Sequence, residues 1–273
     1  MTGRSQVTSI AKMRGNLRET LDDRVAVEEP LEIRLGYDVD GERQTSSVSI
    51  TMRTPGDDED LATGFLVSES IVRSPADIAI VKPCTGDNTI RVELEAGVDV
   101  DLERLKRHFY TTSSCGVCGK ASLDALRVVG VQALDDGTLF PHDTLIQLPD
   151  RLRKAQATFD ETGGLHAAAA FDPYGELLIV REDVGRHNAV DKVIGALFAD
   201  SRLPATQLGL MVSGRASFEL MQKTLVAGIP LLAAISAPSS LAVELAREFN
   251  VTLIGFLRGD TFNVYAGEER IAE

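Results

Sequence analysis

Tryptophan is absent from this 273-residue chain, and aromatic residues make up only 5% of it. Stacking platforms for single-stranded bases are therefore scarce. Cysteine is limited to Cys84, Cys115 and Cys118, too few and too odd a number for a disulfide framework. Basic charge is also short. The 28 Lys and Arg stand against 41 Asp and Glu, a net charge of −13, which argues against a general polyanion-binding surface. A long apolar run is missing too. The segment Leu225 to Ile235 is interrupted by Gly228 and Pro230 and falls well short of the ~20 residues of a membrane span. The polar start, MTGRSQVTSIAKMRG, has no apolar signal core. The expectation is a cytoplasmic protein with neither nucleic acid nor membrane as partner.

What is present is ordinary for a globular protein: 44% hydrophobic and 25% charged residues. The length suits one large domain or two medium ones. Residues 1–22 read as a mobile, polar lead-in. From there to about residue 145 the pattern is β-rich. Alternation at 30–37 and 47–53 predicts two strands around an Asp40-Gly41 turn. A helix is predicted over 59–72, opened by acidic residues that suit its positive end, and further strands over 78–82 and 89–94. Residues 121–129 read as a helix and 130–148 as irregular chain. Residues 146–273 change texture. Apolar strands at 165–171, 177–180, 208–212, 230–235 and 251–256 alternate with helices at 150–159, 189–198, 217–226 and 239–249. That alternation predicts a three-layer α/β/α domain with a buried sheet, placed after a smaller β-rich N-terminal domain.

Chemistry is concentrated in two places. The first is Ser113-Ser-Cys115-Gly-Val-Cys118-Gly-Lys120. A CxxC serves redox exchange, half of a zinc site, or a nucleophilic thiol that carries sulfur. The thiolate is favoured ahead of a helix and beside a cation such as Lys120. A zinc knuckle needs four ligands, and the remaining donors are Cys84 and the four histidines, His108, His142, His166 and His187. A thioredoxin-like arrangement needs the motif after the first strand of a βαβ unit, which this position does not offer.

The second place is a set of turns after apolar strands: Arg181 to Asn188, Ser213-Gly214-Arg215-Ala-Ser217, Ser236 to Ser240, and Phe256-Leu257-Arg258-Gly259-Asp260-Thr261. Ligands of open α/β sheets bind at the carboxyl ends of strands, helix N-termini bind phosphate, and Arg contacts phosphate in bidentate fashion. Arg186, Arg215 and Arg258, with His187, Ser213 and Gly214, thus predict a local cationic pocket on an acidic protein. Asp183 and Asp191 are read as acceptors for a nucleotide, as helix caps, or as ion-pair partners. His166 lies in TGGLHAAA, but Ala168 stands where a zinc deaminase carries Glu, and the CxxC precedes the His. Deaminase chemistry does not follow.

Taken together, MRTPGDDEDLATGFLVSE (52–69), SSCGVCGKAS (113–122), TGGLHAAA (162–169), REDVGRHNAVDKVIG (181–195), SGRASFELMQK (213–223) and GFLRG (255–259) resemble the FdhD proteins, formate dehydrogenase accessory sulfurtransferases. The resemblance spans about residues 30–265. It implies a sulfur carrier that takes sulfane sulfur from a cysteine desulfurase. The sulfur passes to the molybdenum cofactor, bis-molybdopterin guanine dinucleotide, before formate dehydrogenase receives it. It implies a persulfide on Cys115 assisted by Cys118, and a cofactor-binding segment over Phe256 to Thr261. It implies a guanine nucleotide such as GDP as a mimic of that bound substrate, and no tightly bound metal. It also implies a cytidine-deaminase-like second domain and a homodimer. Two other classes remain beside it: a zinc-binding, non-catalytic escort of formate dehydrogenase, and a dithiol oxidoreductase.

Overall fold

The computed structural model describes residues 3–84, 88–100, 133–134 and 137–273. The chain opens with an antiparallel hairpin, β1 (Ser5–Arg14) and β2 (Leu17–Ala26), in register from Ser5–Ala26 to Arg14–Leu17. The polar lead-in of residues 1–22 is thus corrected: most of it is strand. Its burial signal is missing because nearly every side chain of the hairpin faces water. A local signal is nonetheless present. Gly15, at φ +59°, and Asn16 form a two-residue hairpin turn.

The expected strands around Asp40-Gly41 are β3 (Glu29–Val39) and β4 (Glu42–Arg53). Both turn residues take positive φ, 52° and 82°, as a primed hairpin turn requires. With β5 (Ile78–Pro83) and β6 (Thr89–Leu94) they form a four-stranded sheet ordered β4-β3-β6-β5. Helix α1 (Asp58–Ser68) packs against its inner face. It ends four residues before the predicted Val72, at a turn where Ser70 has φ +54°.

A small strand, β7 (Phe140–Pro141), then leads into the helices α2 (His142–Leu145), α3 (Leu148–Ala155) and α4 (Ala157–Thr162). The predicted helix over 150–159 is broken at Gln156. The buried Glu182 carboxylate accepts the backbone N–H groups of Thr158 and Phe159 at 2.9 and 2.8 Å, capping α4 as a new helix. The main sheet holds β8 (His166–Phe171), β9 (Leu177–Asp183), β10 (Gly209–Val212), β11 (Leu231–Ala234), β12 (Thr252–Arg258) and β13 (Thr261–Ala266). Their order is β13-β12-β11-β10-β8-β9. Strands β10, β11 and β12 are mutually parallel, whereas β8 and β13 run against their neighbours. A last strand, β14 (Ile271–Ala272), pairs with β7.

The sheet's apolar alternation serves two faces. Ala168, Ala170, Leu210, Val212, Leu232 and Ala234 share a core with α5 (Arg186–Ala199), α6 (Phe218–Val226) and α7 (Ser240–Glu248). Ala169, Phe171, Met211, Leu231, Ala233 and Ile254 pack against Phe140, Leu145, Leu148 and Leu152 on the other side. This is the expected three-layer arrangement. Phe140 and Leu145 belong to its outer layer, although they precede residue 146.

The two sheets share one core through α1 and α5. Both helices carry a glycine at the crossing. A Cβ on Gly64 would stand 1.8 Å from the Asp191 carbonyl oxygen, and one on Gly195 would stand 1.9 Å from that of Asp60. Only glycine permits this backbone approach. Around the crossing lies a satisfied polar seam. Lys192 Nζ meets Asp183 Oδ2 at 2.8 Å and the Thr54 carbonyl at 3.0 Å, both side chains fully buried. Asn188 donates to the Met52 carbonyl at 2.8 Å. Arg181 meets Asp60 at 2.7 Å. Lys223 Nζ meets Asp191 at 2.7 Å, and Ser68 donates to the same carboxylate at 2.7 Å. Burial pushes the Asp191 carboxyl up, and the Lys223 ammonium beside it works the other way.

Candidate functional site

Strand directions decide which turns meet. The carboxyl ends of β9, β10, β11 and β12 and the amino ends of β8 and β13 share one edge of the main sheet. The turns there are laced together by backbone. Ile235 N–H donates to the Val212 carbonyl at 3.2 Å, Ser236 N–H to Gly214 at 3.3 Å, and Phe256 N–H to Ser236 at 3.2 Å. Ser213 is an anchor in this row. Its N–H donates to the Ala167 carbonyl and its hydroxyl accepts the Ala167 N–H, both at 2.9 Å.

At the centre stand Gly214, His166 and Arg186. A Cβ on Gly214 would lie 3.5 Å from His166 Nδ1 and 3.9 Å from Arg186 Cδ, ordinary contact distances that place both side chains directly over this backbone. His187 follows on the first turn of α5, with Nε2 at 3.9 Å from Glu219 Oε2 on α6. Arg186 Nε and His187 Nε2 are both buried atoms without a hydrogen-bond partner. Buried polar groups are normally satisfied; with Ser217 Oγ, unsatisfied ahead of α6, these two atoms make this sheet edge the candidate site.

The electrostatics sharpen this. Burial, aided by the nearby charges of Arg186 and Lys223, pushes the His187 imidazole down to about 4. Burial and Arg186 also lower His166. At neutral pH the spot therefore presents one guanidinium and two uncharged imidazoles, with the ionised Glu219 carboxylate beside His187. The N-termini of α5 and α6 add their backbone N–H groups. This arrangement can hold an anion without stacking several cations together.

The other predicted residues separate. Arg215 is exposed. Phe256 holds φ +53°, a strained conformation for a bulky side chain, and Arg258 places its guanidinium 5.6 Å over the Phe256 ring. Arg258, Gly259, Asp260 and Thr261 are exposed at the tip between β12 and β13, with Gly259 at φ +59°. The turn over Phe256 to Thr261 is a β-hairpin rather than a strand-to-helix junction. Leu257 differs from its neighbours: its side chain is fully buried in the core against the α2–α3 layer. Its contribution is to packing. Asp183 and Asp191 are committed to the polar seam and are not free to accept from a nucleotide. Glu219 is a neighbour of the site that sequence patterns do not single out. Its only signal is a position two residues after Ser217, within the first turn of a helix. Cys115 and Cys118 lie outside the described residues. Cys84 is a half-buried free thiol after β5, its N–H bonded to the Thr89 carbonyl at 2.9 Å. Among the described residues no group of three or more His, Cys, Asp or Glu is placed to hold a metal ion, and no helix is long and apolar enough to cross a membrane.

Fold and site together define a class: an α/β protein with a second, fused β-sheet and a cationic, histidine-bearing sheet edge. The chain belongs to the FdhD/NarQ family, whose profile matches residues 26–272. A relative from Streptomyces avermitilis, named sulfur carrier protein FdhD, is 50% identical, with 96% of this chain and 94% of that protein covered. One of the same name from Mycolicibacterium paratuberculosis is 51% identical over 99% of both chains. Another from the archaeon Sulfurisphaera tokodaii is 44% identical over 96% and 97%. The crystal structure of a formate dehydrogenase accessory protein from Desulfotalea psychrophila shares the fold. It superposes with a TM-score of 0.77 at 24% identity and covers 98% of this chain and 99% of that one.

Proposed function

We propose that this chain is a sulfur carrier for formate dehydrogenase maturation, moving sulfane sulfur from a cysteine desulfurase to bis-molybdopterin guanine dinucleotide. The observation that carries the reading is the pair of unpartnered buried atoms, Arg186 Nε and His187 Nε2, at a sheet edge shared with the Phe256–Thr261 turn. A guanine dinucleotide is a polyanion with a planar base, and in this reaction it is cargo rather than a resident cofactor. Arg186, the neutral imidazoles and the helix N-termini suit its phosphates. Arg215 and Arg258 lie on the rim, and Ser213 and Gly214 fix the floor. The names of the relatives supply the sulfur chemistry. The likeness of the main domain to a cytidine-deaminase fold, the cytoplasmic setting and the homodimer are parts of the same proposal.

In the carrier step, the Cys115 thiolate attacks the outer sulfur of the donor persulfide. A new S–S bond forms, the donor's S–S bond breaks, and the donor leaves as thiolate. Cys118 can later attack the inner sulfur of the Cys115 persulfide. That closes a Cys115–Cys118 disulfide and releases the outer sulfur as sulfide, its two electrons coming from the cysteine pair.

The test has two arms. Intact mass after incubation with a cysteine desulfurase and cysteine should rise by one sulfur, about 32 Da, in a form that dithiothreitol removes and that Cys115→Ala lacks. Calorimetric titration with GDP should show binding that Arg186→Ala weakens about tenfold or more, the scale of a lost charge-assisted contact. Zinc in place of added sulfur would overturn the carrier reading. Unchanged GDP affinity in Arg186→Ala would overturn the pocket.

A further inference from the structure

The β1–β2 hairpin is an arm. Its base is fixed to the body: Arg4 meets Asp57 at 2.6 Å and Ser5 donates to Glu161 at 2.7 Å, while Val27 N–H closes the hairpin itself by donating to the Arg4 carbonyl at 3.0 Å. Beyond the base nearly everything is exposed, including Val7 at 57%, Met13 at 62% and Leu17 at 76%. Ten-residue strands reach about 34 Å, the breadth of a small domain. A two-stranded hairpin in water is marginally stable without a surface to pack on.

The tip has a distinct charge. Residues 12–18, Lys-Met-Arg-Gly-Asn-Leu-Arg, carry three cations in a chain of net charge −13, and one carboxylate, Glu19, stands across the hairpin from Lys12. Among the described residues Lys12, Arg14 and Arg18 form no hydrogen bond or ion pair. The surface that would complement this tip exists on the same chain. At the far end of β3, a cleft of about 490 Å³ is lined by Asp38, Val39, Asp40, Val98, Asp99 and Val100. Arg43 already holds Asp38 at 3.1 Å, and the exposed carboxylates of Asp40 and Asp99 are the ones left to meet a cation, with aliphatic side chains between them. The tip interleaves cations with Met13 and Leu17. No hydrogen bond or ion pair joins a tip to its own cleft among the described residues.

A surface and its complement on one chain, left unjoined, can be satisfied by a second copy, and reciprocal exchange under two-fold symmetry is the arrangement that closes with two chains. Each copy then gives an arm and receives one. We propose that the hairpin is an exchange arm whose basic tip docks in the cleft of a second copy of this chain, against Asp40 and Asp99. Leu17 shares a face of the hairpin with Lys12 and Arg14, so its burial against the valines would give that face the packing surface it lacks, and the opposite charges would set the register. This inference deepens the homodimer reading above and is independent of the sulfur chemistry.

Charge reversal tests it in the full-length chain by sedimentation velocity, with circular dichroism to confirm folding. The wild type should sediment as two chains, more weakly at high salt. Lys12→Glu/Arg14→Glu/Arg18→Glu alone, and Asp40→Lys/Asp99→Lys alone, should each associate about tenfold more weakly or worse, since like charges then face each other twice. An equimolar mixture of the two variants should recover the pair, because every arm then meets a cleft of opposite sign. A single-chain wild type would overturn both the homodimer and the arm. A dimer indifferent to the tip charges, or a mixture that fails to recover, would overturn the arm alone.

Discussion

The α1–α5 seam and the edge of the main sheet are both built from dense motifs, and they treat polar groups in opposite ways. In the seam, Asp183, Lys192, Asn188, Asp191 and Lys223 are buried and each finds partners. At the edge, Arg186 Nε and His187 Nε2 are buried and find none. The residues involved are neighbours: REDVGRHNAVDK supplies both, two residues separating Asp183 from Arg186. A run of charged residues between a strand and a helix therefore does not announce a site. The fate of its hydrogen-bonding groups does.

The comparison breaks most violently at the seam. Lys192→Met would leave the Asp183 carboxylate buried without its counter-ion. Removing one partner of a buried pair costs about 3–5 kcal/mol, so the midpoint of urea unfolding should fall steeply. Arg186→Ala, at the edge, should stay within about 0.5 kcal/mol of the wild type, because the guanidinium makes no hydrogen bond or ion pair among the described residues. Near-equal losses in the two variants would show that seam and edge do not differ as the hydrogen bonding implies.

A smaller effect sharpens the edge side through pH. The His187 imidazole sits at about 4 in the folded chain against an ordinary 6.5. The unfolded chain thus binds a proton that the folded chain refuses. The stabilising contribution is complete above 6.5 and is lost as pH falls towards 4. His166 is lowered as well and acts in the same direction. Urea unfolding of His187→Gln should lose part of the stability decline that the wild type shows between pH 6.5 and 4. An unchanged decline would assign it to other groups. A bound anion should raise the imidazole's pKa, which proton NMR of the histidine ring reads directly.

Most of the scaffold is legible in the sequence because strand and helix periods are burial patterns. The main sheet's strands, α5, α6 and α7 follow from apolar runs, and the β3–β4 turn follows from Asp40-Gly41. The hairpin at residues 5–26 shows only its Gly15-Asn16 turn for the same reason, since with both faces in water no period forms. The break at Gln156 depends on Glu182, which lies far along the chain. Arg186, His187 and Gly214 are legible as parts of turns that follow strands. His166 stands out in its motif, but its approach to them across β8 and β10 depends on the sheet order. Leu257 reads in sequence as part of a binding loop, yet it enters the same core as Ile254, three residues before it. The period of two is broken at Phe256, whose positive φ marks an irregularity in the β12–β13 register between Gly255 and Arg258, and no sequence pattern announces that break.

The smallest expected effect separates two uses of glycine. Gly259 at the β12–β13 tip has φ +59° with nothing within 4 Å of an added Cβ, whereas Gly64 at the helix crossing would drive its Cβ into backbone 1.8 Å away. Gly259→Ala therefore costs only the left-handed conformation, about 1–2 kcal/mol, and the turn stays in place. Gly64→Ala must move a helix, at a cost well beyond that. If the tip acts only through its backbone path and the charge of Arg258, GDP affinity in Gly259→Ala should change less than in Arg186→Ala. A larger loss of affinity at Gly259 than at Arg186 would move the centre of the site from the strand ends out to the hairpin tip.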